Sequence, residues 1–369
     1  MTALRIRILS IALAATLAGC GGRAFVDAAA DSEARQAAAA TVQYRAFGDS
    51  ITYGLTLANP KTQAYPPLVA AHEHIADFAN YGIPTVEACD VANLEIAPNQ
   101  ISPTLATRSH YSVLVGTNDL RQDNVEEHET AYTECLRAVL SWLAVPREYK
   151  VLAGDDGMRG TGAGALQNSD GWRVWLTRAL GASVSFTITT AKPGPIYAWP
   201  RLNDASRAEY VYLLDGVRIG EFSWQDIPPI ATKKGTTRSL GFLRIKNVPA
   251  GTHTVTFTQV SATGEAVGIV GVGAPRGNTE GVLPTVLAGT IPYQYYKSTP
   301  GICAPNEPLC LSYIQIIRKS VSLFQDDGLK VKLFDTRQYM FGTASEMNTR
   351  SHPNAFGQEE LSHAVEAVW

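Results

Sequence analysis

The sequence predicts an α/β domain interrupted by an all-β segment. Three observations carry this reading. Short apolar runs alternate with helical stripes before about residue 150. From about 151 to 276, Thr-rich period-2 alternation runs on with no helical pattern. After about 276 the α/β texture returns.

In order, residues 42–47 read as a strand running into Gly48-Asp49-Ser50, and residues 66–78 as a helix closed by the turn Asn80-Tyr81-Gly82. Residues 111–115 read as a buried strand stopped by Gly116. Tyr132, Cys135, Leu136, Val139, Leu140 and Leu143 form a helical stripe that ends at Pro146. Alternating strands and helices of this kind suggest a parallel sheet covered on both faces. The Gly-rich stretch from Gly154 to Gly171 reads as irregular. Strands are expected at 184–188, 210–213, 243–245 and 253–258, with turns at Asp215-Gly216 and Pro249-Ala250-Gly251, which describes an antiparallel sandwich. Trp172, Trp175, Trp199 and Trp224 fall in this segment, where they either fill its core or form a platform for a sugar ring. Then follow a strand at 286–289, a helical face from Tyr313 to Phe324, a strand at 331–334 and a helix at 355–368 with Asn354 as its N-cap.

The chain has 369 residues, 45% apolar and 18% charged, enough for sizeable cores. A net charge of −3 with no basic block argues against a nucleic-acid partner. Arg5 and Arg7 precede an apolar run from Ile8 to Ala18, too short to span a bilayer and matching the core of an export signal. Leu17-Ala18-Gly19-Cys20 resembles a bacterial lipobox, which implies lipidation at Cys20 and a place in the bacterial cell envelope, exported and held to the membrane only by that lipid. The expected division is a signal peptide 1–19, a tether 20–40, α/β segments 41–150 and 277–369, and the insert 151–276. Cys89, Cys135, Cys303 and Cys310 remain after Cys20, and in an oxidising compartment an even number suggests two disulfides. Cys303–Cys310 closes a short loop and Cys89–Cys135 ties a loop to a helix, with other pairings open. A metal site is not expected. His72, His74 and Asp77 do not share a helix face, and Asp155-Asp156 reads as linker.

Four short motifs carry chemistry. Gly48-Asp49-Ser50 places a serine at a strand end. Asn80-Tyr81-Gly82 and Gly116-Thr117-Asn118-Asp119 follow later strands, and Ser351-His352-Pro353-Asn354 precedes the last helix. In this order they resemble the SGNH (GDSL-like) esterase and lipase superfamily over about residues 42–150 and 277–369. The resemblance implies a flavodoxin-like, three-layer α/β/α domain. It implies Ser50 as nucleophile, Gly82 and Asn118 as oxyanion donors alongside the Ser50 N–H, and His352 as general base, with no cofactor. An inserted sandwich like a carbohydrate-binding module implies an acylated carbohydrate as substrate, with O-acetyl removal from a polysaccharide or peptidoglycan as the expected reaction. The alternatives are acetyl transfer between glycans and a glycan-binding lipoprotein whose catalysis has decayed.

One position departs from the pattern. The family usually carries Asp three residues before the histidine, and here that residue is Thr349. A backbone carbonyl orients His352 in a Ser-His dyad, Glu346 or Asp335 supplies a carboxylate from a shifted position, or activity is low or lost.

Overall fold

The computed structural model describes residues 42–121, 125–203, 208–223, 234–235, 238–261, 267–277, 281–294, 303–304 and 306–369. The leader, Cys20, the tether and Trp224 lie outside them. Residues Val42–Trp369 form one compact unit.

Five strands build the parallel sheet: β1 (Val42–Gly48), β2 (Asp77–Asn80), β3 (Arg108–Leu114), β4 (Thr285–Gly289) and β5 (Lys330–Phe334). Their spatial order is 2-1-3-4-5, and every pairing is parallel. In such a sheet the chain leaves β1 toward β2 on one side and returns to β3 on the other. This opens a crevice at the carboxyl ends of β1 and β3. The main helices are α1 (Tyr65–His72), α2 (Val125–Ala144), α3 (Pro308–Asp326) and α4 (Ala355–Glu366). Alternate strand residues enter two separate cores. Tyr44, Ala46, Leu114 and Leu287 join α1 and α4 through Tyr65, Val69 and Leu361. Phe47, Val113, Val286 and Val331 join α2 and α3 through Tyr132, Leu136, Ile314 and Ile317.

The first helix is shorter than its sequence suggests. It stops at His72, because His74 turns into the left-handed region (φ 56°) and the Ile75 N–H closes back on Ala70 O at 2.8 Å. Phe78 consequently lies in β2. The His72 ring meets Glu366 of α4 at 2.7 Å, which raises its pKa.

The insert leaves the crossover between α2 and β4. Its first strand, Lys150–Leu152, pairs antiparallel with its last, Val267–Gly273, so it enters and exits at adjacent positions. Two antiparallel sheets follow, one of five strands and one of seven. The glycine-rich stretch expected to be irregular holds two of these strands, Met158–Thr161 and Gly164–Ser169. Its glycines are packing requirements: a Cβ on Gly160 or Gly164 would stand within 2.4 Å of the Trp175 ring. Asp155 is paired with Arg147 at 2.8 Å and accepts the Leu152 N–H.

The tryptophans of the insert fill its core. Trp172, Trp175 and Trp199 are all buried. Trp142 of α2 meets Trp172 and Trp199 edge-on at 4.7 and 5.2 Å. Trp199 Nε1 donates to Ser141 Oγ and Trp172 Nε1 to Asn93 Oδ1, both at 2.9 Å. On α3's side, buried Asp327 accepts from Tyr197 and pairs with Arg244. Sandwich and α/β residues therefore share one continuous core. Both disulfides are formed, Cys89–Cys135 and Cys303–Cys310.

A carboxyl in this seam makes stability depend on pH. Glu134 of α2 faces the Phe242 backbone, and burial pushes its pKa up to about 7. The unfolded chain releases that proton near the ordinary carboxylate value. Stability is therefore greatest below that value, falls as pH rises through it toward 7, and stays lowered above. Glu134→Gln should flatten this slope, recovering up to ~3 kcal/mol at pH 8 relative to the parent. Denaturant unfolding of parent and variant at pH 5 and pH 8 reads it directly.

Candidate active site

Ser50, Gly82, Asn118 and His352 each lie on the carboxyl-terminal side of a strand of the parallel sheet. Ser50 follows β1 and opens a one-turn helix, Ser50–Tyr53, capped by Asp49, whose carboxylate accepts the Ile51 N–H at 2.8 Å. The turn needs glycine at position 48. Its φ is +143°, and a Cβ there would lie 2.0 Å from Leu114 O. The Gly48 N–H donates to Glu95 Oε2 at 2.8 Å, and its carbonyl accepts the Ile83 N–H at 2.9 Å. The Ser50 turn is thus held at both peptide groups of its first residue.

His352 arrives from the loop between β5 and α4. Asn348 N donates to His352 O at 2.9 Å, and Met347 bridges Pro353. Asn354 caps α4 through the Gly357 N–H. This stapled loop brings His352 Nε2 to 3.0 Å from Ser50 Oγ, although 302 positions separate them in the chain. The distance is that of a nucleophile and its base. On the other ring nitrogen, Thr349 Oγ1 sits 2.8 Å from Nδ1 and also accepts the His352 backbone N–H at 3.1 Å. For Nε2 to accept the serine proton, Nδ1 must carry the ring hydrogen and donate it to Thr349. The expected departure thus has a structural answer: a hydroxyl occupies the orienting position.

Neither alternative carboxylate takes that place. Buried Glu346 accepts from the Phe341 and Thr343 N–H groups and the Thr343 hydroxyl, bracing the preceding loop. Asp335 binds Thr290 and Arg318.

Asn118 is buried beyond β3, and its Nδ2 donates to Val86 O at 2.8 Å. One amide hydrogen is used there, leaving the second for a ligand oxygen. Its neighbour Asp119 fixes the loop, accepting the Ala88 N–H with both oxygens, and burial pushes its pKa up. Cys89, bonded to Cys135, ties the same short helix, Ala88–Val91, to α2.

Gly82 does not stand as expected. Its N–H donates to Asn80 Oδ1 at 3.0 Å, while Asn80 Nδ2 bonds Thr52 O. Gly82 is required for another reason: a Cβ there would lie 2.7 Å from Tyr53 N, so the residue lets this loop touch the Ser50 helix. Sequence reasoning missed Thr85, three residues on. It is exposed, its φ is +71°, and its N–H has no hydrogen-bond partner among the described residues. A β-branched residue in the left-handed region is strained, and such strain concentrates at functional sites. Nothing in the residue type signals this conformation.

Among the described residues no group of three His, Cys, Asp or Glu converges as a metal site, and no helix is long and apolar enough to cross a membrane.

No family model and no curated protein matches the chain. Solved structures share its outline. One is a two-domain esterase active on acetylated mannans, crystallised with mannopentaose: 12% identity and a TM-score of 0.35 over 68% of this chain and 95% of that one. Another belongs to the lipolytic G-D-S-L family, from Veillonella parvula DSM 2008: 12% identity and a TM-score of 0.39 over 89% and 98%. The sandwich alone is similar to the carbohydrate-binding module CBM36 in complex with calcium and xylotriose, at 18% identity and a TM-score of 0.26 over 33% of this chain and 95% of the module. At these identities and scores the likeness is one of outline, and function rests on the chain's own geometry.

Proposed function

We propose that the protein is a serine esterase of SGNH type, with a three-layer α/β/α catalytic domain, that removes O-acetyl groups from a polysaccharide. The observation that carries the reading is the 3.0 Å contact between His352 Nε2 and Ser50 Oγ at the crevice of the sheet. His352 takes the Ser50 proton as Oγ attacks the ester carbonyl. The oxyanion is met by the Ser50 N–H at the start of its helix, by the second hydrogen of Asn118 Nδ2, and by the Thr85 N–H in place of Gly82. The tetrahedral intermediate collapses as His352 returns the proton to the sugar oxygen. Water, deprotonated by His352, then hydrolyses acetyl-Ser50.

A carbohydrate substrate is supported by the sandwich built into the same body and by exposed rings close in sequence to the site residues. Tyr53 lies three residues after Ser50 and Phe356 four after His352, and both are exposed. Such rings stack on the apolar faces of sugars. Export with a lipid at Cys20 is part of the proposal, supported by the leader and by two disulfides.

The test is acetate release from an acetylated oligosaccharide and from an aryl acetate, with Asn118→Ala beside the parent. The parent should turn over both, and the variant should lose ~10²–10³ in kcat with a smaller change in KM. Acetyl appearing on an added sugar acceptor instead of as free acetate would make the enzyme a transferase. An inactive but folded parent would defeat the reading.

A further inference from the structure

The nucleophile turn rests on a buried acid that the mechanism does not use. Glu95 lies in a π-helical turn, Ala92–Ile96, and is completely buried. Its Oε2 accepts the Gly48 N–H at 2.8 Å, while Oε1 is buried with no hydrogen-bond partner among the described residues. Two carboxyls face it, Asp49 on the nucleophile turn and Asp90 on the short helix before it, with the Ile83 N–H and the Tyr65 ring as the other neighbours. No cation is among these groups. An ionised carboxylate with one bare oxygen, walled off from water beside two further carboxyls, is costly. A neutral acid exposes only an unbonded hydroxyl there, a far smaller cost. Its carbonyl oxygen still accepts from Gly48.

We propose that Glu95 is a positioning residue that works as an uncharged carboxylic acid, fixing the Ser50 turn through the Gly48 N–H. The catalytic side of this proposal rests on the esterase reading above. Its structural side does not. Gly48 has only two peptide groups, and Ile83 already holds the carbonyl. Without Glu95 the N–H end is released and buried unpaired. Ser50, two residues on, then loses its fixed approach to His352. The direction of titration agrees: burial, Asp49 and Asp90 raise the Glu95 pKa and outweigh the Gly48 and Ile83 N–H groups, which lower it. π-turns inserted into helices are frequent at functional sites, and this one turns the Glu95 side chain under β1.

Two variants separate the roles. Glu95→Gln keeps an acceptor for Gly48 and has no charge to lose, so kcat should stay within about threefold of the parent. Glu95→Ala should lower kcat at least ~10-fold with KM little changed, the signature of a misplaced reacting group. The charge state is read without any turnover. The infrared difference spectrum of the full chain, parent minus Glu95→Gln at pH 7, should show a protonated carboxyl C=O band. A carboxylate band in its place overturns the neutral-acid proposal, and so does a Gln variant as impaired as the Ala variant. A Glu95→Ala enzyme with parental kcat overturns the positioning role. If the parent shows no esterase activity, the function falls, while the infrared band still decides the state of Glu95.

Discussion

Replacing Ser50 with Ala should abolish ester hydrolysis while leaving the fold in place. The Ser50 side chain contributes Oγ to a hydrogen bond with His352 Nε2, and the turn that carries it is held by Gly48 and Asp49 backbone and cap contacts. An alanine at the first position of the short helix disturbs none of these. The loss in kcat should be roughly 10⁴–10⁶, because without the nucleophile only binding and oxyanion donors remain. The stronger form of the test is non-additivity. Ser50→Ala and His352→Ala remove two halves of one proton-transfer step, so the double variant should be no slower than Ser50→Ala alone. Independent, multiplying losses would mean that the two residues do not act as a pair, and the 3.0 Å contact would have no catalytic meaning. Circular dichroism and a thermal melt close to those of the parent guard against an unfolded control.

The fold was legible because its signals are periodic. The stripe from Tyr132 to Leu143 lies in α2 as read, and the strands before Asp49 and Gly116 end where glycine lets the chain turn. The insert's outer strands, such as Ser183–Thr190 and Gly251–Gln259, carry the alternating burial their sequences imply. What escaped was set by contacts between distant segments. The strands at 158–169 look irregular because their glycines answer to Trp175, a residue on a neighbouring strand. The helix stop after His72 depends on a left-handed residue that has no glycine to announce it. The site divides in the same way. Ser50, Asn118 and His352 were legible as residue types in order. Gly82 was read as an oxyanion donor from its place in the motif, and its N–H meets Asn80 Oδ1 in a local turn that any Asn-x-Gly can form. Thr85 and Glu95 were invisible, one defined by φ and the other by burial alone.

Thr349→Asp should make the enzyme faster. In the parent, Thr349 Oγ1 accepts the His352 backbone N–H at 3.1 Å and the Ser351 N–H at 3.4 Å, and faces Nδ1 at 2.8 Å. This geometry orients the imidazole, and with the ring hydrogen on Nδ1 it leaves Nε2 to accept from Ser50 Oγ. It gives little once the ring becomes imidazolium in the transition state, because a neutral oxygen stabilises positive charge poorly. An aspartate at this position can accept the ring and backbone donors with separate oxygens and add a full opposing charge. Loss of the equivalent carboxylate in a serine protease costs about 10⁴ in kcat, which includes tautomer loss as well as charge. Here a hydroxyl already holds the ring in place, so the gain should lie above ~10-fold and well below that ceiling. Thr349→Val keeps the shape and removes the acceptor, and should cost ~10-fold, the worth of one hydrogen bond. The pair of variants therefore separates orientation from charge. A Val variant at parental rate would mean that Thr349 does not orient His352. An Asp variant that orients the ring but gains nothing would mean that imidazolium formation does not limit turnover, and that the missing carboxylate costs this enzyme nothing at the step that sets its rate.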